Sequence, residues 1–468
     1  MKDTQDSGLR TQDSLAKDSE LRSTPWGSSS VGRASALQAG GQGFKSPLLH
    51  IYYLIVKLIL RLFGVTHERG VLFEEIAKKF GTPLYVYSEA TILQKVSELK
   101  AAFAGTNASF CYAVKANSNL SILKLLSDQG FGFDIVSEGE LRRVLRAGGA
   151  MSSVVYSGVG KGPDEIRAAL SNKIKFLNIE SPAELYMLDA IAKELGVRAQ
   201  ISLRINPDID VHTHPYLATG LKTSKFGMPL SDALLLREDI AKSKFLDLCG
   251  IDCHIGSQVS ELSAWEGAHL EMLKAAGAFE ESGFTIRYID LGGGFPICYT
   301  FTEQALNLAA FAQLFKRAEC NKYQYIFEPG RFVVAEAGQL ITSVVLTKKN
   351  HDKNFVIVDA GMNDLIRPAL YEAYHEIEAL THNASGKTFV ADVVGPVCET
   401  GCYLGLERKL PEVNSGDLMA INNAGAYGFS MASNYNSRRL PAEVLVAVDG
   451  SYKLIRPRQD FEELWAGE

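Results

Sequence analysis

The chain has 468 residues, 46% of them hydrophobic and 22% charged, with a formal net charge of -6. This is the composition of a soluble globular protein with room for two or three domains, and an acidic balance without a basic, aromatic-studded patch excludes nucleic acid as its main partner. Seven cysteines scattered through apolar runs, with no Cys-x-x-Cys pair, indicate a reducing, cytoplasmic setting; no metal site is expected, because Cys398 and Cys402 have no further ligand nearby.

Residues 1–47 are rich in Ser, Gly, Gln and Asp and predict disorder. Residues 48–65 are apolar but carry Lys57 and Arg61, so a docked or surface helix is expected rather than a membrane span. The stretch lies too far from the amino end for a secretory signal. Residues 26–50 read like the conceptual translation of a transfer-RNA gene, so residues 1–68 are expected to be disordered or non-native, with the native start near the apolar stretch.

An extended run at 83–87, within a segment 69–90, is expected to join a later β-domain. From residue 91 to 335, β-rich runs at 109–114, 132–136, 153–157, 174–179, 200–205, 246–254, 285–291 and 323–327 alternate with amphipathic stretches such as 138–147, 182–195 and 265–282. Alternating β and α of this length implies parallel strands, and eight repeats without reversal predict a (β/α)8 TIM barrel. The loop at 208–225 is long for a barrel and reads as a lid. Residues 336–465 give runs at 339–347, 354–359, 387–394, 417–421 and 442–448 without long helices between them. They predict a C-terminal antiparallel β-sandwich or β-barrel domain.

Active-site groups of such a barrel project from the carboxyl ends of its strands. Unusual residues fall there: Lys115 after the first run, Asp134 in the second, Arg204 at the fifth, His254 ending the sixth, Gly292-Gly293-Gly294 after the seventh and Glu328-Pro329-Gly330-Arg331 after the eighth. Lysine can hold an aldehyde as an imine, three glycines let backbone amides approach an anion, and an acid can keep a pyridine nitrogen protonated. Together they describe a pyridoxal 5'-phosphate site.

The chain also resembles the fold-type III, alanine-racemase-like pyridoxal phosphate decarboxylases over about residues 70–465, and within them the diaminopimelate decarboxylases. The likeness rests on Tyr112-Ala113-Val114-Lys115-Ala116-Asn117, Phe133-Asp134-Ile135-Val136-Ser137-Glu138-Gly139-Glu140, His254-Ile255-Gly256-Ser257-Gln258, the glycine triplet and Glu328-Pro329-Gly330-Arg331. In the β-domain it rests on Arg367-Pro368-Ala369-Leu370-Tyr371, Gly395-Pro396-Val397-Cys398-Glu399 and Gly425-Ala426-Tyr427-Gly428. It implies that Lys115 is the imine lysine, His254 stacks on the ring and Glu328 meets the pyridine nitrogen. Ser257, Gly293, Gly294 and Tyr427 would bind phosphate, and Asp134, Gly330 and Arg331 would lie by the cofactor. Arg331, Arg367 and Tyr371, with Tyr427, would hold the substrate's far, carboxylate-bearing end, a task that suits the planar fork of arginine. If Pro368 opens a short helix, Tyr371 falls one turn on from Arg367. Glu399 would bind the distal ammonium and Cys398 would protonate the carbanion, both reaching into a neighbouring subunit's site, which implies a homodimer. The chain reads Cys398-Glu399-Thr400-Gly401-Cys402 where the family usually has Cys-Glu-Ser-x-Asp, so Cys402 stands in place of an acid.

The expected activity is conversion of meso-2,6-diaminopimelate to L-lysine and CO2, with no stable insertion into a membrane. The alternatives are an ornithine or arginine decarboxylase, which would need an acid to meet a bare distal amine, a carboxynorspermidine decarboxylase, and a non-catalytic regulatory relative, which would be expected to have lost Lys115 or the glycines. A racemase usually faces its ring nitrogen with arginine, so Glu328 argues against one.

Overall fold

The computed structural model describes residues 65–209, 224–380 and 386–468. Most of the expected helix at 48–65 and of the loop at 208–225 lies outside them. No described helix is long and apolar enough to cross a membrane.

The first strand, β1 (Leu84–Ser88), is followed by eight parallel strands that close into a barrel: β2 (Ala108–Ala113), β3 (Gly132–Ile135), β4 (Val154–Tyr156), β5 (Phe176–Ile179), β6 (Ala199–Arg204), β7 (Leu246–Asp252), β8 (Tyr288–Asp290) and β9 (Gln324–Phe327). Every residue of β3 and of β5 is buried, as expected of strands covered on both faces. Outer helices start where the sequence supplies caps. Ser137 accepts the Glu140 amide at the start of Glu138–Arg146, and Ser181 accepts the Glu184 amide ahead of Pro182–Leu195, which ends on left-handed Gly196. These caps fix where each helix leaves its loop, and so hold the strand ends that carry the site.

The remaining strands are β10 (Gly338–Asn350), β11 (Lys353–Val358), β12 (Ile377–Ala379), β13 (Thr388–Val394), β14 (Tyr403–Pro411), β15 (Leu418–Ile421), β16 (Ala442–Val446) and β17 (Tyr452–Arg456). They form one sheet with β1, in the order β14-β13-β11-β10-β1-β16-β17, and β15 pairs with β10 and β12. The sheet is mixed rather than purely antiparallel: β1 runs parallel to β16, and β11 runs parallel to β13. A parallel pair needs a long crossover, and the whole barrel supplies it between β1 and β16. The 83–87 run thus pairs with β10 and β16 of this sheet. Tyr85 and Tyr87, fully buried, join the barrel's own apolar cluster, so sheet and barrel share a core at the mouth where the site lies.

Candidate active site

Lys115 sits in the single turn Val114–Ala116 that ends β2, and its Nζ donates to Asp134 Oδ2 at 2.7 Å. The lysine side chain is 38% exposed while that of Asp134, on β3, is fully buried. Burial opposes a charge on Lys115, but Asp134, Glu328 and Tyr427 outweigh it and raise its pKa. The nitrogen is therefore held positive by a carboxylate at its back, with its front open.

Around it lie Ala113, His254, Ser257, Gly293, Gly294, Phe295, Glu328, Gly330, Arg331 and Tyr427. These residues come from the ends of β2, β7, β8 and β9 and from the sheet domain, and the glycines show how closely those loops pack. A Cβ at Gly293 would stand 2.5 Å from the Glu328 carbonyl oxygen, and one at Gly294 (φ +113) 2.6 Å from that of Gly256. At Gly292 it would meet His254 Nδ1 at 2.6 Å. The Gly293 amide instead donates to His254 Nδ1 at 3.1 Å. Burial, then Arg204 and Lys115, push the His254 pKa well down, so the ring is neutral and carries its hydrogen on Nε2.

Glu328 follows β9. It is buried, and its Oε1 has no hydrogen-bond partner among the described residues. Burial, with Asp134, Asp290 and Asp252 nearby, raises its pKa far above the usual carboxylate range. Oxygens of Asp252, Asp290 and Glu328 lie within 4.8 Å of one another, a spacing that can hold a cation. The Arg204 guanidinium, 3.7 Å from Asp252 and 2.8 Å from Glu180, already brings one positive charge to this cluster. A buried carboxyl with one oxygen left over, lining the same pocket as a half-open lysine and backbone that no side chain could share, fits a heterocycle with a protonated nitrogen, an aldehyde and an anionic tail. That is pyridoxal phosphate.

The mouth extends into the sheet domain. Tyr427, at φ +56, donates its amide to the Ala116 carbonyl at 2.8 Å, and its ring lies 4.9 Å from the Arg331 guanidinium. Arg331 and Arg367 are both buried. Pro368 does open a short helix, Arg367–Tyr371. Arg331 donates to Ser257 Oγ at 3.1 Å and to the Tyr299 hydroxyl at 2.9 Å, and Arg367 donates to the same hydroxyl at 2.8 Å. Tyr371 closes that helix, within electrostatic reach of Arg331.

Cys398 and Glu399 are not among the residues lining the Lys115 pocket, and both are exposed. Cys402 is buried instead, its Sγ accepting the Met362 amide at 3.4 Å. Sequence reasoning missed Tyr299 and His375, which accepts from Arg367 at 2.9 Å. The one available signal was position: Tyr299 lies in the loop after the glycine triplet, and His375 four residues beyond Tyr371.

Residues 89–335 match the family described as pyridoxal-dependent decarboxylase, pyridoxal binding domain. A diaminopimelate decarboxylase of Neisseria meningitidis serogroup B is 48% identical over 400 residues, covering 85% of this chain and 95% of that protein. One from Haemophilus influenzae is 46% identical over 396 residues, 84% and 95% of the two chains. The crystal structure of Helicobacter pylori diaminopimelate decarboxylase complexed with L-lysine superposes with a TM-score of 0.80 at 43% identity, covering 84% of this chain and 98% of that one. A lysine/ornithine decarboxylase of Vibrio vulnificus, at 22% identity and a TM-score of 0.70, shares the fold. On the family match over the barrel and the identity and coverage of these relatives, the chain belongs to the pyridoxal phosphate-dependent decarboxylases, in the diaminopimelate decarboxylase family.

Proposed function

We infer that the chain decarboxylates meso-2,6-diaminopimelate to L-lysine, the last step of lysine biosynthesis, in the cytoplasm. The observation that carries the choice of substrate is the pair Arg331 and Arg367. Both are buried, and among the described residues their hydrogen bonds go to uncharged groups only: Ser257, Tyr299 and His375. Two desolvated guanidiniums without a carboxylate want one, and a substrate ending in a bare amine would be repelled there.

The chemistry that pyridoxal phosphate supplies when bound is an electron sink for the pair left on the α-carbon as CO2 departs. Lys115 is the amine that would hold its aldehyde carbon, with Asp134 keeping positive charge on the nitrogen. Glu328 would hold a hydrogen at the ring nitrogen, and neutral His254 offers a flat face without a competing charge. Ser257, Gly293, Gly294 and Tyr427 would hold the phosphate, with Gly330 beside it. Arg331, Arg367 and Tyr371 fix the end of the substrate that keeps its carboxylate. Exposure of Cys398 and Glu399 suits residues that act in a second copy's site, Glu399 on the distal ammonium and Cys398 as the proton donor to the α-carbon. That reading makes the working unit a homodimer.

A substrate panel tests it. With the holoenzyme, kcat/KM for CO2 release from meso-diaminopimelate should exceed that for ornithine, arginine or carboxynorspermidine by about a hundredfold or more. Faster turnover of any of the three overturns the assignment.

A further inference from the structure

Tyr299 lies at the point where the two arginines meet. Its side chain is buried, and its oxygen accepts from Arg331 at 2.9 Å and from Arg367 at 2.8 Å, with the Arg367 guanidinium 4.7 Å from its ring centre. Two N–H donors occupy the acceptor side of the phenol oxygen, so its own hydrogen must point elsewhere. Among the described residues no acceptor takes it.

The neighbours are equally committed. The Arg367 nitrogen that reaches Tyr299 also donates to His375 Nε2 at 2.9 Å, and His375 Nδ1 donates to the Asn422 carbonyl at 2.8 Å, which fixes the tautomer. The His375 ring meets that of Tyr299 edge to face at 5.3 Å. On Arg331, the Nε hydrogen is buried with no partner among the described residues. Two like charges are therefore pinned to one oxygen, and two donors, Tyr299 O–H and Arg331 Nε–H, are left unspent inside a buried cluster. Such a cluster is complete only with an anion against it.

We propose that Tyr299 is a specificity-determining residue: it holds Arg331 and Arg367 side by side and gives its own hydrogen to the carboxylate at the far end of the substrate. This rests on the reading above that this carboxylate binds at the two arginines. An amine in its place would present hydrogens to a hydrogen, so the hydroxyl rejects amine-ended substrates as well as holding the acid-ended one.

The test uses the holoenzyme and two inhibitors, L-lysine and 1,5-diaminopentane, which differ only in the carboxylate. Tyr299→Phe should weaken L-lysine inhibition and raise the KM for diaminopimelate by about tenfold to a hundredfold. Inhibition by 1,5-diaminopentane should stay the same or strengthen, and the cofactor's absorbance should stay within about twofold, because neither gains from the lost donor. Equal weakening of both ligands would make Tyr299 merely structural, and no change in either would remove it from the site; both overturn the proposal. A wild-type enzyme that does not prefer L-lysine to 1,5-diaminopentane would instead overturn the underlying reading, before any variant is made. Should the Phe variant fold poorly, 3-fluorotyrosine placed at position 299 keeps the fold. Its fluorine resonance should move on adding L-lysine and not 1,5-diaminopentane; identical responses to the two contradict the proposal.

Discussion

His375 shows how a buried side chain ties the site to pH. Burial first, then Arg367, bring its pKa down to about 3, because a second positive charge cannot share the cavity with the guanidinium it accepts from. The unfolded chain takes up a proton below about pH 6.5 that the folded chain refuses. The contribution is thus fully present above about pH 6.5 and is lost as pH falls towards 3. Denaturant titrations between pH 7 and 4 should show the wild type losing on the order of 2–3 kcal/mol more than His375→Gln. Equal losses would mean that His375 is protonated in the native state. Neither His375 nor Tyr299 stands out in the sequence, since Tyr299, Arg331, Arg367 and His375 meet only through tertiary folding. Lys115, Asp134, His254 and Glu328 were legible because each sits at a strand end, where the barrel's symmetry says what it faces.

Among the elements, the loop after β8 is tightly constrained at the site itself. Gly294 is left-handed at φ +113 and has the Gly256 carbonyl where a Cβ would go, so a side chain there must move either the β7 loop or itself. Gly294→Ala should still fold, because its new Cβ meets the barrel core only at ordinary contact distance from Trp265, but should bind pyridoxal phosphate about tenfold or more weakly; loss of absorbance on dialysis measures this. Retention equal to wild type would show that the triplet is only a flexible turn. The strands around this loop were readable from apolar runs, and the helix Pro182–Leu195 from its Ser-Pro start and Gly end. The run at 285–291 shrinks to Tyr288–Asp290 because its flanks are loop. The sequence pattern missed β12, β14 and β17. In β14 the charges Glu407, Arg408 and Lys409 mask the alternation, and a strand at the sheet's edge tolerates them, with Pro411 closing it.

At the scale of the whole molecule, the proposed division of the site between two copies makes a prediction no single chain can satisfy. Lys115→Ala and Glu399→Gln should each be nearly inactive alone. Mixed in equal amounts and allowed to exchange subunits, they should recover about a quarter of wild-type activity, since half the dimers are mixed and each has one intact site. No recovery under proven exchange would place Glu399 and Lys115 in the same copy's site. The claim on which all of this depends is that Lys115 carries the cofactor. Borohydride reduction of the holoenzyme followed by peptide mass spectrometry reads that directly: the phosphopyridoxyl label is predicted on Lys115 alone, and a label on another lysine, such as the buried Lys161, would contradict it.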